Sequence, residues 1–390
     1  MPGSPAASKA TNRTPKSLPG LTGLRGLAAL WVVLYHYCSL YLPALDAHWL
    51  GGLLSRGYLA VDLFFLLSGF VLAHVYSDAA ERKGFAFFRS FMRARVARIY
   101  PLHLFVLALF VAMAFAVRGI HYVQDGAYYP LPLTGARSLE ALVANVLMLQ
   151  GVQAGELSWN YPAWSISVEF AAYLMFPLVI GLLWRISGRS LFAAALAALA
   201  TVWALAYVAG GDMNQWDGLT ALWRCLPQFF LGCICYRVYR QGLIDARAWA
   251  GLVFVAALLM LYFDYCDIVV VTLFPLVILC AVSARGVSGR ILNARPVVLL
   301  GEISCSIYLV HGLVQHATTH ALNALELDQT EFSVGHSWAA LALMLLTVFV
   351  VSIASYRFFE KPMRRWLNER PIAAETARAS AAADPSFAAR

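Results

Sequence analysis

Ten apolar runs, each about twenty residues long, follow one another through the chain with short polar breaks between them. A helix of that length crosses the hydrocarbon core of a bilayer. Lipid supplies no hydrogen-bond partners, so each run must satisfy its own backbone, as an α-helix does. The expected fold class is all-α, a polytopic membrane helix bundle with spans at 21–42, 58–77, 100–117, 163–184, 190–209, 219–237, 248–263, 268–284, 297–322 and 337–358. A shorter apolar stretch, 139–151, cannot span and is expected to lie at the interface or to re-enter. Composition excludes an ordinary soluble domain: 61% of residues are hydrophobic and 13% charged, with a mean hydropathy of +0.68.

Charge gives the orientation. Lys and Arg collect in alternate loops, 1–20, 78–99, 185–189, 237–247, 285–296 and 357–390, which hold 24 of the 29. The opposite loops hold Arg56, Arg118 and Arg137, while Asp212, Asp217, Asp264, Asp267, Glu326, Asp328 and Glu331 also lie on that side. The basic loops are expected on the cytoplasmic side, with both termini. This bias accounts for the net charge of +8, so no nucleic-acid partner is implied. The membrane domain is expected over 21–366, flanked by disordered tails at 1–20 and 367–390, rich in Ala, Ser, Pro, Thr and Arg. No cleaved leader is expected, because the first run is long enough to span and contains His36. The seven cysteines (38, 225, 233, 235, 266, 280, 305) are scattered, without metal-ligand or disulfide spacing.

Polar groups inside the spans are the functional candidates. Arg25 and His36 are eleven residues apart, three helical turns plus about 20°, so they share one face about 16 Å apart. Counting inward from the span ends places Asp62 of GYLAVDLFFLLSGF, Glu169 of WSISVEFAAY and Arg224 of LWRCLP near the depth of His36. Asp62 can orient the His36 ring as a general base. Alternatively, Asp62, Glu169 and Arg224 form a structural ion-pair network. On the basic side, Arg89 and Arg93 read as a positive-inside stop. Arg95 and Arg98, three residues apart and followed by Tyr100, read equally as a phosphate-binding pair. Glu302, Tyr308 and His311 lie in GEISCSIYLVHG, and His311 reads as a site residue or as an interhelical donor. Ser68 and Gly69 suit close packing or a cofactor arm.

Together these segments resemble the acyltransferase 3 family of integral membrane proteins, which includes bacterial O-antigen acetylases and macrolide acyltransferases. Arg25 and His36 are similar to its basic-x10-His signature, and VDLFFLLSGF, ARIYPLH, WSISVEF, GEISCSIYLVHG and FFEKPMRR follow in the family's order. The resemblance implies an enzyme of the bacterial inner membrane that takes an acyl group, often acetyl, from cytoplasmic acyl-CoA as co-substrate. The acceptor hydroxyl would belong to a glycan or lipid-linked saccharide such as O-antigen or exopolysaccharide, with a macrolide-type molecule as the alternative. It implies His36 as the catalytic residue with Asp62 its partner, and Arg95 and Arg98 for the CoA phosphates. Glu169 joins the catalytic candidates. Arg25, Ser68 and Tyr100 join the CoA side, and Arg224, Trp164, Tyr308 and His311 the acceptor side. Direct transfer and an acyl-histidine intermediate both remain open, and no metal is expected. Cys305 stands where relatives often carry an aromatic residue, and no appended extracellular SGNH-type domain is expected. The rival class is a proton-coupled secondary transporter, against which stands the lack of an evident inverted repeat.

Overall fold

The computed structural model describes residues 18–45, 50, 52–83, 87–125, 133–153, 156–186, 188–215, 218–246 and 248–368. Nearly all of both expected tails lies outside these residues. Among the described residues the chain is helical and contains no strand. The helices are α1 (Pro19–Leu34), α2 (Gly52–Ser55), α3 (Ala60–Lys83), α4 (Phe88–Asp125), α5 (Leu139–Val146), α6 (Trp164–Arg185), α7 (Arg189–Val208) and α8 (Gly218–Gln241). They continue as α9 (Ala250–Tyr262), α10 (Asp267–Ser283), α11 (Gly286–Leu292), α12 (Arg295–Glu302), α13 (Ser304–Ala324) and α14 (Val334–Ser355).

Every expected span coincides with a helix, but not every helix is a straight span. Six of those described are long and apolar enough to cross a membrane, and up to eight qualify if each bent pair counts once. The pairs are α10 with α11, bent by 89°, and α12 with α13, bent by 69°. The second bend breaks the single helix expected over 297–322. Its corner is Ile303, and the Gly301 carbonyl there accepts from Arg25 Nε at 3.2 Å and Nη2 at 2.6 Å. A guanidinium thus satisfies a carbonyl that the corner frees.

α1 continues as a π-helix, Tyr35–Tyr41, whose wider turn begins one residue before His36. α3 and α8 pack backbone to backbone. A Cβ at Gly69 would stand 1.8 Å from the Phe229 carbonyl oxygen, and one at Gly232 would stand 2.1 Å from that of Leu66. This is the small-residue contact that lets membrane helices approach closely. The stretch expected at 139–151 packs against α4: at the end of α5, Tyr100 donates to the Val146 carbonyl, and His103 Nε2 lies 2.8 Å from that of Asn145. Tyr100 and His103 lie about 33–38 Å from the far end of α4 at Asp125. The following loop is pinned to α6 by Ser167 Oγ, which donates to the Met148 carbonyl at 2.7 Å, and by Gln150 Nε2, which donates to that of Ala163 at 2.9 Å.

Candidate active site

A cavity of about 340 Å³ lies between α1, α3, α4, α6 and α13. It follows α3 from Val61 to Val75, about 20 Å. At the Val75 end stand His74 and three arginines, Arg25, Arg95 and Arg98. Arg95 Nη2 donates to the Tyr76 hydroxyl at 3.3 Å, and its guanidinium lies 5.5 Å from the Tyr76 ring centre. Arg98 has no hydrogen-bond or ion-pair partner among the described residues. Three cations facing one space repel each other unless an anion lies between them. Among the described residues the only carboxylate lining the cavity is Glu169, midway, where it accepts from Ser68 Oγ and, at 2.6 Å, from the Tyr173 hydroxyl.

At the Val61 end the cavity meets Tyr308, whose ring lies 5.9 Å from that of Phe64 and whose hydroxyl is 2.7 Å from Ser165 Oγ. One turn further along α13 is His311, fully buried, with no hydrogen-bond partner for either ring nitrogen among the described residues. Its ring centre lies 5.0 Å from that of His36 and 5.8 Å from that of Tyr308. His36 is half-buried and also packs against Tyr161, 5.0 Å between ring centres. Its Nδ1 lies 2.9 Å from the Val32 carbonyl. A carbonyl can only accept, so Nδ1 carries the proton and Nε2 is left with a free lone pair. The arrangement joins an arginine-lined end, through a tyrosine and a histidine, to a histidine held in the tautomer a general base needs.

The acyltransferase domain family, Acyl_transf_3, matches residues 18–357. The chain belongs to the acyltransferase 3 family. Such an enzyme transfers acyl groups. This acyltransferase 3 protein is 32% identical over 355 residues to acyltransferase MdmB of Streptomyces mycarofaciens, covering 82% of this chain and 84% of the relative. It is 25% identical over 392 residues to O-acetyltransferase OatA of Staphylococcus aureus, covering 90% of this chain and 58% of OatA, so it spans little more than half of that relative. Over 159 residues it is 43% identical to Protein 2 in picA locus of Rhizobium radiobacter, covering 37% of this chain and 72% of the relative. No solved structure matches it.

Within this acyltransferase 3 fold the sequence-derived candidates fall into two groups. Arg25, Arg95, Arg98, Ser68, Glu169 and Tyr308 line one cavity, and His311 and His36 lie beyond its Tyr308 end. The remaining candidates are placed elsewhere. Asp62 does not partner His36. Its carboxylate receives Arg224 Nε at 2.9 Å and Nη2 at 2.5 Å, together with Gln228 Nε2. Asp62, Arg224 and Gln228 are all 0% exposed. Arg224 also donates to the carbonyls of Tyr58 at 2.9 Å and Gln215 at 3.1 Å, and it lies 5.5 Å from the Trp164 ring centre. With its donors engaged, Arg224 is a helix tie rather than an acceptor site, and Trp164 is the face it stacks on. The network anticipated as an alternative therefore holds Asp62 and Arg224 but not Glu169. Tyr100 is engaged with Val146 and does not line the cavity.

Two residues escaped the sequence reading. Tyr173 is one helical turn from Glu169, and that spacing was legible. Glu360, 3% exposed, accepts from Ser306 Oγ at 3.0 Å and lies within electrostatic reach of Arg98 and Arg25. Its segment FFEKPMRR was noted, but the π-helix Tyr356–Glu360 that turns the carboxylate inward leaves no mark in hydropathy. No cluster of metal-ligating side chains occurs among the described residues.

Proposed function

We propose that this protein is an O-acyltransferase of the bacterial inner membrane that moves an acyl group, in the first instance acetyl, from cytoplasmic acyl-CoA to a hydroxyl of a cell-surface glycan. The observation that carries the proposal is a cavity with Arg25, Arg95 and Arg98 at one end and Tyr308 at the other, with the His311 and His36 rings following beyond Tyr308. Guanidinium groups suit CoA phosphates because they bind oxyanions bidentately. The positive-inside bias supports a cytoplasmic position for that end, the side on which acyl-CoA is found.

In the proposed reaction the acceptor hydroxyl gives its proton to His36 Nε2. The oxygen attacks the thioester carbonyl, and the tetrahedral intermediate collapses by breaking the C–S bond. The imidazolium then returns the proton to the CoA thiolate. The Val32 carbonyl supports the protonated ring in the role foreseen for a carboxylate, holding Nδ1–H and so orienting Nε2. The acceptor approaches from the side opposite the arginines. There α13 carries Gln315, His316 and Thr319, with Gln315 Oε1 accepting from the Tyr161 hydroxyl at 2.8 Å and Thr319 Oγ1 3.1 Å from that of Tyr41. Such a polar stripe on a membrane helix suits a polyhydroxylated acceptor. The name of OatA, an O-acetyltransferase, supports acetyl as the group and a hydroxyl as its target.

Membranes containing matched amounts of wild type and variants, given acetyl-labelled acetyl-CoA, test the proposal. Wild type should move label into a glycan fraction, and His36→Ala should lower transfer by about 10²-fold or more. Equal transfer by His36→Ala would remove His36 from the reaction, and label moving into a secreted small molecule instead would replace the glycan acceptor.

A further inference from the structure

The arginine-rich end of the bundle carries a second cavity, of about 680 Å³, between α12, the end of α14 and the helical turns at 356–366. Its floor is apolar, formed by Leu299, Ile303 and Ile353, and its rim carries Arg357, Lys361 and Arg365. The three cations are four residues apart and fall along one side of the helix. All three are exposed, and none has a hydrogen-bond or ion-pair partner among the described residues. Glu302 is the one carboxylate lining the groove, so the rim keeps an excess of positive charge.

Position marks this groove as interfacial. α12 is bent by 69° from α13 and so cannot continue along the direction of that span. Trp366, at the rim, is 48% exposed, and Phe358, on the adjoining turn, is 82% exposed. Exposed aromatics beside basic side chains and an apolar floor are the composition of a membrane–water interface. We propose that the groove binds an anionic glycerophospholipid of the leaflet at the basic end, its phosphate on Arg357, Lys361 and Arg365 and an acyl chain on Leu299, Ile303 and Ile353. Guanidinium and ammonium groups supply the charge complementarity, and the apolar floor separates a lipid from a free anion. The same turns carry Glu360 into the bundle, where it meets Ser306 behind the arginine end of the acyl site. A lipid seated outside therefore braces the segment that places this carboxylate inside.

Native mass spectrometry of the full-length protein in detergent, titrated with phosphatidylglycerol, phosphatidylcholine or inorganic phosphate, tests this site. One phosphatidylglycerol should be retained in preference to phosphatidylcholine. Arg357→Gln with Lys361→Gln and Arg365→Gln should weaken it by about tenfold to a hundredfold, whereas Arg357→Lys with Arg365→Lys should preserve it. If the triple variant does not elute as a single species, Arg365→Gln alone should weaken retention by about fivefold. Unchanged retention in the neutralised variants would overturn the proposal. So would equal retention of phosphatidylcholine, or binding of inorganic phosphate without phosphatidylglycerol.

Discussion

At the scale of single residues, the ionisable groups inside the bundle divide by whether they already have partners. Asp62 and Arg224 are mutually satisfied, with Gln228 completing the carboxylate's contacts. Removing one charge from a buried pair leaves the other unpaired, so Asp62→Asn should cost about 3–5 kcal/mol of stability, read as a lower melting temperature of the purified protein and reduced yield. Arg98 is the reverse case. It lines the cavity without a partner among the described residues, so Arg98→Gln should raise KM for acetyl-CoA severalfold to tenfold with little change in kcat. The corresponding loss is about 1 kcal/mol of binding. The sequence could not separate these cases, because counting from span ends gives depth and not azimuth. Asp62 and His36 share a depth, but a carboxylate bound on two sides by Arg224 is unavailable to an imidazole. The tautomer of His36 was likewise out of reach, since its partner is a main-chain carbonyl one turn away.

At the scale of elements, hydropathy located the helices and missed their breaks. Hydropathy marks the runs at 268–284 and 297–322 as unbroken, yet they border or contain bends of 89° and 69°. The second bend is held by a long-range bond from Arg25 to Gly301, which no local pattern encodes. The 139–151 stretch was legible as too short to span, but its position depends on contacts from Tyr100, His103 and Ser167. The α3–α8 contact is a demanding packing feature, because neither Gly69 nor Gly232 has room for a Cβ. Gly69→Val should separate the two helices and cost at least about 1–3 kcal/mol, measured by thermal unfolding and by loss of the monodisperse species. Gly119→Ala, where nothing lies within 4 Å, is the control within a helix and should lower neither.

At the scale of the whole molecule, polar features are graded along the bundle axis, from the arginine cluster through Glu169 and Tyr308 to the two histidines, and then to the acidic loops. A clasp closes the acidic end. Arg56 donates to Asp264 Oδ1 at 2.5 Å and also to Asp267, whose Oδ2 accepts from the Tyr58 hydroxyl at 2.8 Å. The hydrogen bond and charge of Arg56 hold the Asp264 carboxyl below its ordinary value. A carboxylate with a depressed pKa stabilises the fold above its unfolded pKa, near 4, and loses that contribution as pH falls through the folded value. Thermal stability should therefore fall as pH drops below about 4, by less in Asp264→Asn than in wild type. The gradation itself was legible as a whole, because positive-inside bias and the family segments point the same way. The cavity was not, because its walls come from five helices distributed through the chain.

The most direct test of the account is a cryo-electron microscopy structure with a non-hydrolysable acetyl-CoA analogue in which the thioester sulfur is replaced. The account predicts phosphate density against Arg25, Arg95 and Arg98, with the acyl end between Ser68 and Tyr308, pointing toward His311 and His36. Density for the analogue outside this cavity, or bound with its acyl end at the arginines, would contradict it.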